Sequence, residues 1–549
     1  MATRSMKKTT RLASKAATIA ARAKAASGAF KLTYATMFEP PEHLHDDFQK
    51  ALHGVKAGLG KDHPMWIGGK ERSAAERFED RSPINANWLL GTFAKGTAQD
   101  ASDAIAAARA AFPTWSRMKW PNRVRLLRRV VDLIEKRVYA LAAANALDVG
   151  KNRLEALGDV QEAADLISYY CDAMERNKGF VLSMARDPLK RYKATNVSIL
   201  RPHGVWVVIS PFNFPVALSG GPAGAALVAG NTVVLKPATA TPWAAALLSQ
   251  CFRDAGLPDG AFNFVTGPGD TMGEALIGSP VVDGITFTGS YDVGMHICRV
   301  FSQGIYPRPC ILEMGGKNAA IVSRRADLDR AAVGILRSAF GLQGQKCSAC
   351  SRVLVEKPVK EALIKKLVDL VNKITVGDPT ERENWMGPVI NRKAFEDFKA
   401  YVEELARAGT ILTGGGQLTE GDLAHGYFCA PTLVDGVPPD HRLWRHEMFL
   451  PITLIGAVNS LDEAMRWAND VPYGLTAGFY GSAKEAIYFF KNIQVGVAYV
   501  NRPHGATTGA WPGYQPFGGW KGSGSSGKNG GGPYYLQLYM HEQIQAIVE

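Results

Sequence analysis

The sequence is poor in the features that mark membrane, secreted or metal-centred proteins. No apolar run approaches the roughly 18 residues needed to span a bilayer, so no membrane-spanning helix is expected. Cysteine is sparse, with seven in 549 residues, and the set is odd and scattered. That argues against a disulfide framework and for a reducing compartment. Two of the seven, Cys347 and Cys350, stand three apart in "GQKCSACSR". No second C-x-x-C and no paired histidines lie near them, and a closed zinc site needs four ligands. No metal is expected. The pair also lacks the neighbouring aromatic and proline of a thioredoxin-type motif. Acidic residues are missing altogether from the first 38 positions, which hold eight Lys and Arg. Most of the formal charge of +12 is therefore a property of that tail, and the body beyond it carries only about +4. A surface built for nucleic acid is not expected.

The tail, 1–38, is rich in Ala, Ser, Thr and Arg and resembles an organellar transit peptide. The same composition suits a disordered bacterial extension. The expected location is the cytoplasm, with the mitochondrial matrix as the alternative. Leu12 and Ile19 do not make an apolar face broad enough to dock on a membrane.

What is present is a layered α/β pattern. From about 98 to 147, apolar residues recur at helical spacing with charges opposite. From about 195, strand-like runs alternate with helices. "VWVVIS" (205–210), "TVVLKP" (232–237), "FNFVTG" (262–267) and "GITFTGS" (284–290) are each followed by a helical stretch. Continuous β-branched and aromatic runs between helices read as parallel strands buried on both faces. A doubly wound unit of this kind binds ligands at the carboxyl ends of its strands. A second α/β pattern starts near "AAIVS" (319–323) and reaches "AGFYGS" (477–482). The glycine-rich stretch near 520–533 lies between patterned segments and reads as a structured loop.

Candidate chemistry follows from these placements. "TGPGDTMG" (266–273) has its third glycine one position late for a dinucleotide fingerprint, and a plain strand-to-helix turn fits as well. "FTGSYDVG" (287–294) offers Gly289 and Ser290 where amides open a helix and can receive phosphate. Lys236 ends a strand, within reach of a cofactor hydroxyl or simply of solvent. The C-x-x-C pair leaves two readings, a single reactive thiol or two buried structural ones. Lys346 and small polar neighbours favour a reactive Cys347 with a lowered thiol pKa, and Cys350 then packs as a small hydrophobe. A thiol nucleophile needs an oxyanion donor and a base. Asn213 in "SPFNFP" and Glu313 in "LEMGGK" are of the right type, although each also reads singly as a loop brace and a surface charge.

Taken together, "PFNFP", "VVLKPA", "FTGSYDVG", "LEMGGK", "GQKCSACSR", "HEMFLPI" and "PFGGWKGSG" resemble, in order and spacing, the aldehyde dehydrogenase superfamily over about residues 60–549. The resemblance implies an α/β fold with a Rossmann-type NAD-binding domain (39–184 and 203–314) and an α/β catalytic domain (315–508). A small β oligomerisation flap and bridging segments (185–202 and 509–549) complete it. It implies Cys347 as nucleophile, Asn213 with the Cys347 amide as oxyanion donors, and Glu313 as base. Lys236, Gly289, Ser290, Glu447 and Phe449 are implied to hold the cofactor. Within the superfamily the chain looks most like the glutamate-semialdehyde (1-pyrroline-5-carboxylate) dehydrogenases. That implies NAD-dependent oxidation of the semialdehyde to glutamate. Ser348, Gly509 and Ala510 would bind the substrate carboxylate, and Phe214 and Phe517 would flank its aliphatic part. A homo-oligomer of dimers or larger is implied, through "RYKATNVSILRP" (191–202) and the chain after 533.

Four departures bear on specificity. Thr239 stands where many NAD-preferring relatives carry a carboxylate, so NADP is not excluded. His446 and Leu450 replace a usual Glu and Gly. "RPHGATTGA" is about three residues longer than the usual run, and Trp511 follows it. They motivate the alternative, an NAD(P)-dependent dehydrogenase for another semialdehyde or an aromatic aldehyde.

Overall fold

The computed structural model describes Leu32, Thr36 and residues 40–186, 188 and 191–549. The basic tail and its transit-peptide reading lie almost wholly outside the described residues. Among the described residues, no helix is long and apolar enough to cross a membrane.

Two seven-stranded sheets organise the chain. In the first, Cys310–Glu313, Gly284–Thr288, Val205–Ile209, Thr232–Lys236 and Phe262–Phe264 run parallel in that order, and the hairpin Met65–Ile67/Lys70–Arg72 extends the far edge. The strands foreseen from their Val/Ile/Phe runs are these. Their residues are buried on both faces, as a parallel sheet sandwiched by helices requires. The helical stretch expected from 98 to 147 is three helices, Ala98–Arg117, Trp120–Lys136 and Val138–Val149. Pro121 at the start of the second helix suits a helix N-terminus, where no amide partner is lost.

The second sheet runs Thr410–Thr413, Thr432–Asp435, Ile452–Val458, Cys350–Glu356, Asn318–Val322, Thr476–Tyr480, Val497–Val500. All but the first pair are parallel. Cys350 opens a strand and is buried, the packing role read for it from sequence.

The glycine-rich stretch near 520–533 is a structured clip. Its Trp520–Lys521 pairs with Tyr473–Gly474. The Ser523 hydroxyl donates to Gly315 O (2.6 Å) and accepts from Gly474 N (3.0 Å). Ser525 donates to Cys310 O (2.7 Å) and accepts from Leu312 N (2.8 Å). The clip covers the open edge of the first sheet where Glu313 emerges, and fixes the direction of that side chain.

A third sheet stands apart. Met540–Val548 pairs antiparallel with the whole of Ala194–Pro202, whose other edge takes Val181–Ser183. It begins at Val181, within the segment read from sequence as NAD-binding. Leu182, Ile544, Ile547 and Val548 are all more than half exposed on it.

Candidate active site

The loop that carries Cys347, the candidate nucleophile, is set by an unusual backbone. Helix Leu328–Phe340 ends, and the chain then places Leu342, Gln343 and Gly344 at φ of 49°, 55° and 68°. The left-handed conformation costs a non-glycine residue about 1–2 kcal/mol. Side chains from the neighbouring segment hold it. Glu155 Oε2 accepts from Leu342 N (3.0 Å), and Gln343 Nε2 donates to Gly150 O (3.0 Å). Asn318 Nδ2 donates to Cys347 O (2.7 Å) and Ala349 O (2.9 Å). Gly316 passes so close that a Cβ there would fall 2.4 Å from Cys347 O. Cys347 is thereby held on a rigid turn, partly exposed.

The electrostatics differ from the sequence-based expectation. Lys346 does not lower the thiol pKa. Its ammonium turns the other way and pairs with Glu155 Oε1 at 2.7 Å, both groups buried. The Cys347 thiol is instead pushed up to about 12, by burial first and then by the Glu447 and Glu313 carboxylates. The N–H groups of Ser348 and of Cys347 itself pull the other way. Two amides already aimed at the sulfur are the donors that a negative charge at this position needs.

Asn213 and Glu313 converge on the same place. Asn213 lies in the loop between Val205–Ile209 and helix Ala217–Ala229, pinned by Thr241 Oγ1 to Phe212 O (3.1 Å) and Asp159 Oδ1 to Ala217 N (2.8 Å). It is 4% exposed, and its Nδ2 donates to Gln345 O (2.8 Å), two residues before the nucleophile. A primary amide has a second N–H, which remains for a ligand. Glu313 ends its strand with Oε2 buried and without a partner among the described residues, and Gly519 N–H reaches the carboxyl group. Burial raises its pKa well above the carboxylate range. It is not a surface charge.

The expected cofactor residues line the ends of the first sheet and the adjoining loop. Lys236 is 4% exposed, its Nζ meets Pro237 O at 3.2 Å, and burial lowers its pKa to about 8. Gly289 N donates to Glu313 O (3.1 Å), and Ser290 caps helix Tyr291–Phe301. Gly289 answers to space more than to torsion, since a Cβ would fall 2.4 Å from the Phe287 ring. Glu447 Oε1 accepts from Gly316 N (2.7 Å), and burial brings its pKa to about 7. Phe449 takes φ 57° and sets its ring edge-on to Phe212, 5.8 Å away. A buried ammonium that among the described residues meets only a carbonyl, a buried carboxylate and a capped helix start fit the hydroxyls and phosphates of a dinucleotide. Thr239 Oγ1 donates to Gly267 O (3.1 Å), and His446 Nε2 meets Tyr401 OH (2.8 Å).

The loop before "PFGG" carries a distinct donor set. Ala506 N reaches Gly334 O, Thr507 N and Thr508 N reach Ser338 Oγ, and Trp511 N reaches Gln515 O. The N–H groups of Gly509 and Ala510 have no acceptor among the described residues, although Gly509 is buried. Thr507 Oγ1 donates to Ser348 O (2.7 Å), which ties the loop to the residue after the nucleophile. Buried backbone donors are almost always satisfied, so the open Gly509 N–H, with that of half-buried Ala510 next to it, is of a kind that can receive an anion. Phe214 and Phe517 are both half-buried. The Phe214 ring is fixed under Lys151 Nζ at 4.0 Å.

Sequence reading missed the scaffold beneath the site. Lys151, Glu155 and Asp159 recur every four residues about the start of helix Arg153–Arg176. Lys151 pairs with Asp159 (2.8 Å), both fully buried. Their four-residue period was the available signal.

The Cys347 thiol, an amide donor, a buried carboxyl and a dinucleotide-type sheet are of the types a nucleophilic oxidoreductase needs. The model of the aldehyde dehydrogenase family matches residues 70–544, and the chain belongs to that family. Among curated relatives, 1-pyrroline-5-carboxylate dehydrogenase 1 of Halalkalibacterium halodurans is 40% identical over 502 residues, covering 90% of this chain and 94% of that protein. The 1-pyrroline-5-carboxylate dehydrogenase of Geobacillus kaustophilus is 38% identical, covering 91% and 95%. Among solved structures, 1-pyrroline-5-carboxylate dehydrogenase from Thermus with bound NAD aligns with a TM-score of 0.88 at 34% identity, covering 95% of this chain and 99% of that one. Betaine aldehyde dehydrogenase of Staphylococcus aureus in complex with NAD+ aligns at 0.84 and 27% identity, covering 91% and 97%.

Proposed function

We propose that this chain oxidises L-glutamate γ-semialdehyde, the open form of 1-pyrroline-5-carboxylate, to L-glutamate with NAD, a step of proline catabolism. The observation that carries the substrate is the pair of open N–H groups at Gly509 and Ala510. With Ser348, tied to the same loop through its carbonyl and Thr507, they suit the α-carboxylate of a substrate whose aldehyde end reaches Cys347. Phe214 and Phe517 flank the carbons between. The 1-pyrroline-5-carboxylate dehydrogenases among the relatives support the same reading.

The Cys347 sulfur bonds to the aldehyde carbon as its proton passes to water. The second Asn213 N–H and the Cys347 amide hold the oxyanion. Lys236, Gly289, Ser290, Glu447 and Phe449 would hold the dinucleotide, and when bound its nicotinamide supplies an acceptor for the hydride that leaves the thiohemiacetal carbon. A thioester remains on Cys347. Glu313 then takes a proton from water, the hydroxide adds to the thioester carbon, and the carbon–sulfur bond breaks to release the acid and the thiolate. Burial makes Glu313 a stronger base once ionised.

In this reading 39–184, apart from the edge strand Val181–Ser183, and 203–314 bind the dinucleotide, and 315–508 carry the nucleophile. The apolar ribbon of Val181–Ser183, Ala194–Pro202 and Met540–Val548 is a self-association surface, since exposed apolar patches of this kind mark interfaces.

Purified protein given 1-pyrroline-5-carboxylate is expected to form NADH, with kcat/KM at least about tenfold above that for butanal, a gap of about 1.4 kcal/mol. Turnover confined to aldehydes without an α-carboxylate would overturn the substrate. A parallel series with NADP tests Thr239, whose position carries no carboxylate to repel a 2′-phosphate.

A further inference from the structure

We infer that Tyr499 and Arg502 are positioning residues that aim the Gly509 and Ala510 N–H groups at the substrate carboxylate. The inference rests on the carboxylate reading above and names what holds that subsite in shape.

The argument starts from the peptide group. In a trans peptide the C=O of one residue and the N–H of the next point in opposite directions, and the described chain has no cis bonds. The two open N–H groups belong to the 508–509 and 509–510 peptides. The carbonyls of those same two peptides are both engaged. Arg502 Nη1 donates to Thr508 O at 3.1 Å. The Tyr499 hydroxyl donates to Gly509 O. Each carbonyl is thus anchored on the side of Tyr499 and Arg502, and each N–H is turned to the opposite side. The two anchors brace one another, because the Arg502 guanidinium lies 4.6 Å from the centre of the Tyr499 ring.

The space around Gly509 is consistent with this design. Its φ of +142° is open to glycine and strained for other residues. A Cβ built there would fall 2.0 Å from Arg502 Nη1. The guanidinium therefore lies directly against the backbone that forms the nest, and it adds positive charge behind the two donors. Tyr499 is 6% exposed, and burial raises its hydroxyl pKa, so it stays a donor across the working pH range. The rest of the loop is strapped independently through Ser338 and Ser348. Loss of either anchor should rotate the two peptides without releasing the loop.

The test is a specificity ratio. Tyr499→Phe, Arg502→Lys and the double variant Tyr499→Phe/Arg502→Gln are assayed as full-length enzymes with glutamate semialdehyde and with butanal. The expected result is a fall of about tenfold in the ratio of kcat/KM values for Tyr499→Phe, a larger fall for the double variant, and most of the loss in KM for the carboxylated substrate. A merely structural role would lower both substrates together and leave the ratio in place. If Tyr499→Phe does not fold, Arg502→Lys carries the same measurement, since it keeps the charge and loses the fork that reaches Thr508 O. Folded variants with a ratio within twofold of the parent would overturn the inference. A parent enzyme with no preference for the carboxylated aldehyde would instead overturn the substrate reading beneath it.

Discussion

Cys347→Ser is expected to lower kcat by on the order of 10⁴-fold or more. The reason lies in the electrostatics around the side chain. The site already disfavours negative charge before substrate binds, with the thiol pushed up to about 12 by burial, Glu447 and Glu313. A serine hydroxyl starts far higher than a thiol, so in the same surroundings its alkoxide is essentially absent. The shape of the loop should survive, because the contacts that fix it run through Cys347 O and its neighbours and not through the sulfur. Cofactor affinity is therefore expected to stay close to the parent value, and the loss should fall on the chemical step. The raised thiol pKa gives a second readout on the ligand-free enzyme. Only the thiolate is alkylated, and a group titrating near 12 loses its proton progressively as pH rises. Alkylation of Cys347 by iodoacetamide, taken as the difference between parent and Cys347→Ser, should climb about tenfold per pH unit between pH 7 and pH 10, with no plateau. A plateau near neutral pH would mean a thiolate already formed in the resting site.

Asn213→Ala is expected to cost about 3–4 kcal/mol of transition-state stabilisation, a fall of roughly 10²- to 10³-fold in kcat. The side chain is 4% exposed and one of its N–H groups is held by Gln345 O at 2.8 Å. The amide is therefore locked before substrate arrives, and its second N–H needs no reorganisation to meet the oxyanion. KM should move little, because the donor matters most where charge develops. Asn213→Asp separates positioning from donation. It keeps the size of the side chain but replaces both donors with a carboxylate facing Gln345 O and the oxyanion. A larger loss than for alanine is expected from steady-state kinetics, and activity near the parent for either variant would remove Asn213 from the mechanism.

Much of this architecture was legible in the sequence because it is written in local patterns. The runs "VWVVIS", "TVVLKP" and "GITFTGS" are buried on both faces, so they show no alternation, and they became adjacent parallel strands. Asn213, Glu313 and Cys347 were candidates by residue type and flanking prolines, glycines and small residues, and only the resemblance of the joined motifs implied their roles. What sequence could not show is which way a charge turns. Lys346 sits beside Cys347 in sequence, yet its partner Glu155 is 191 residues away, and burial with Glu447 and Glu313 sets the thiol instead. The left-handed turn at Leu342 and Gln343 was equally hidden, because neither residue type favours it and the contacts that hold it come from Gly150 and Glu155. Tyr499 carried no motif, and Arg502 only opened the long run "RPHGATTGA". Their role depends on which carbonyls the folded loop presents to them.

The most direct test of the account is to trap its covalent intermediate. Glu313→Gln keeps the nucleophile and the oxyanion donors but cannot take a proton from water, so the acyl group should remain on the enzyme. Mixed with 1-pyrroline-5-carboxylate and NAD, this variant is expected to release one equivalent of NADH per active site and then stall. Peptide mass spectrometry should find the glutamyl thioester on Cys347. Full turnover by Glu313→Gln with Cys347 unmodified, or an acyl group on a different cysteine, would contradict the account.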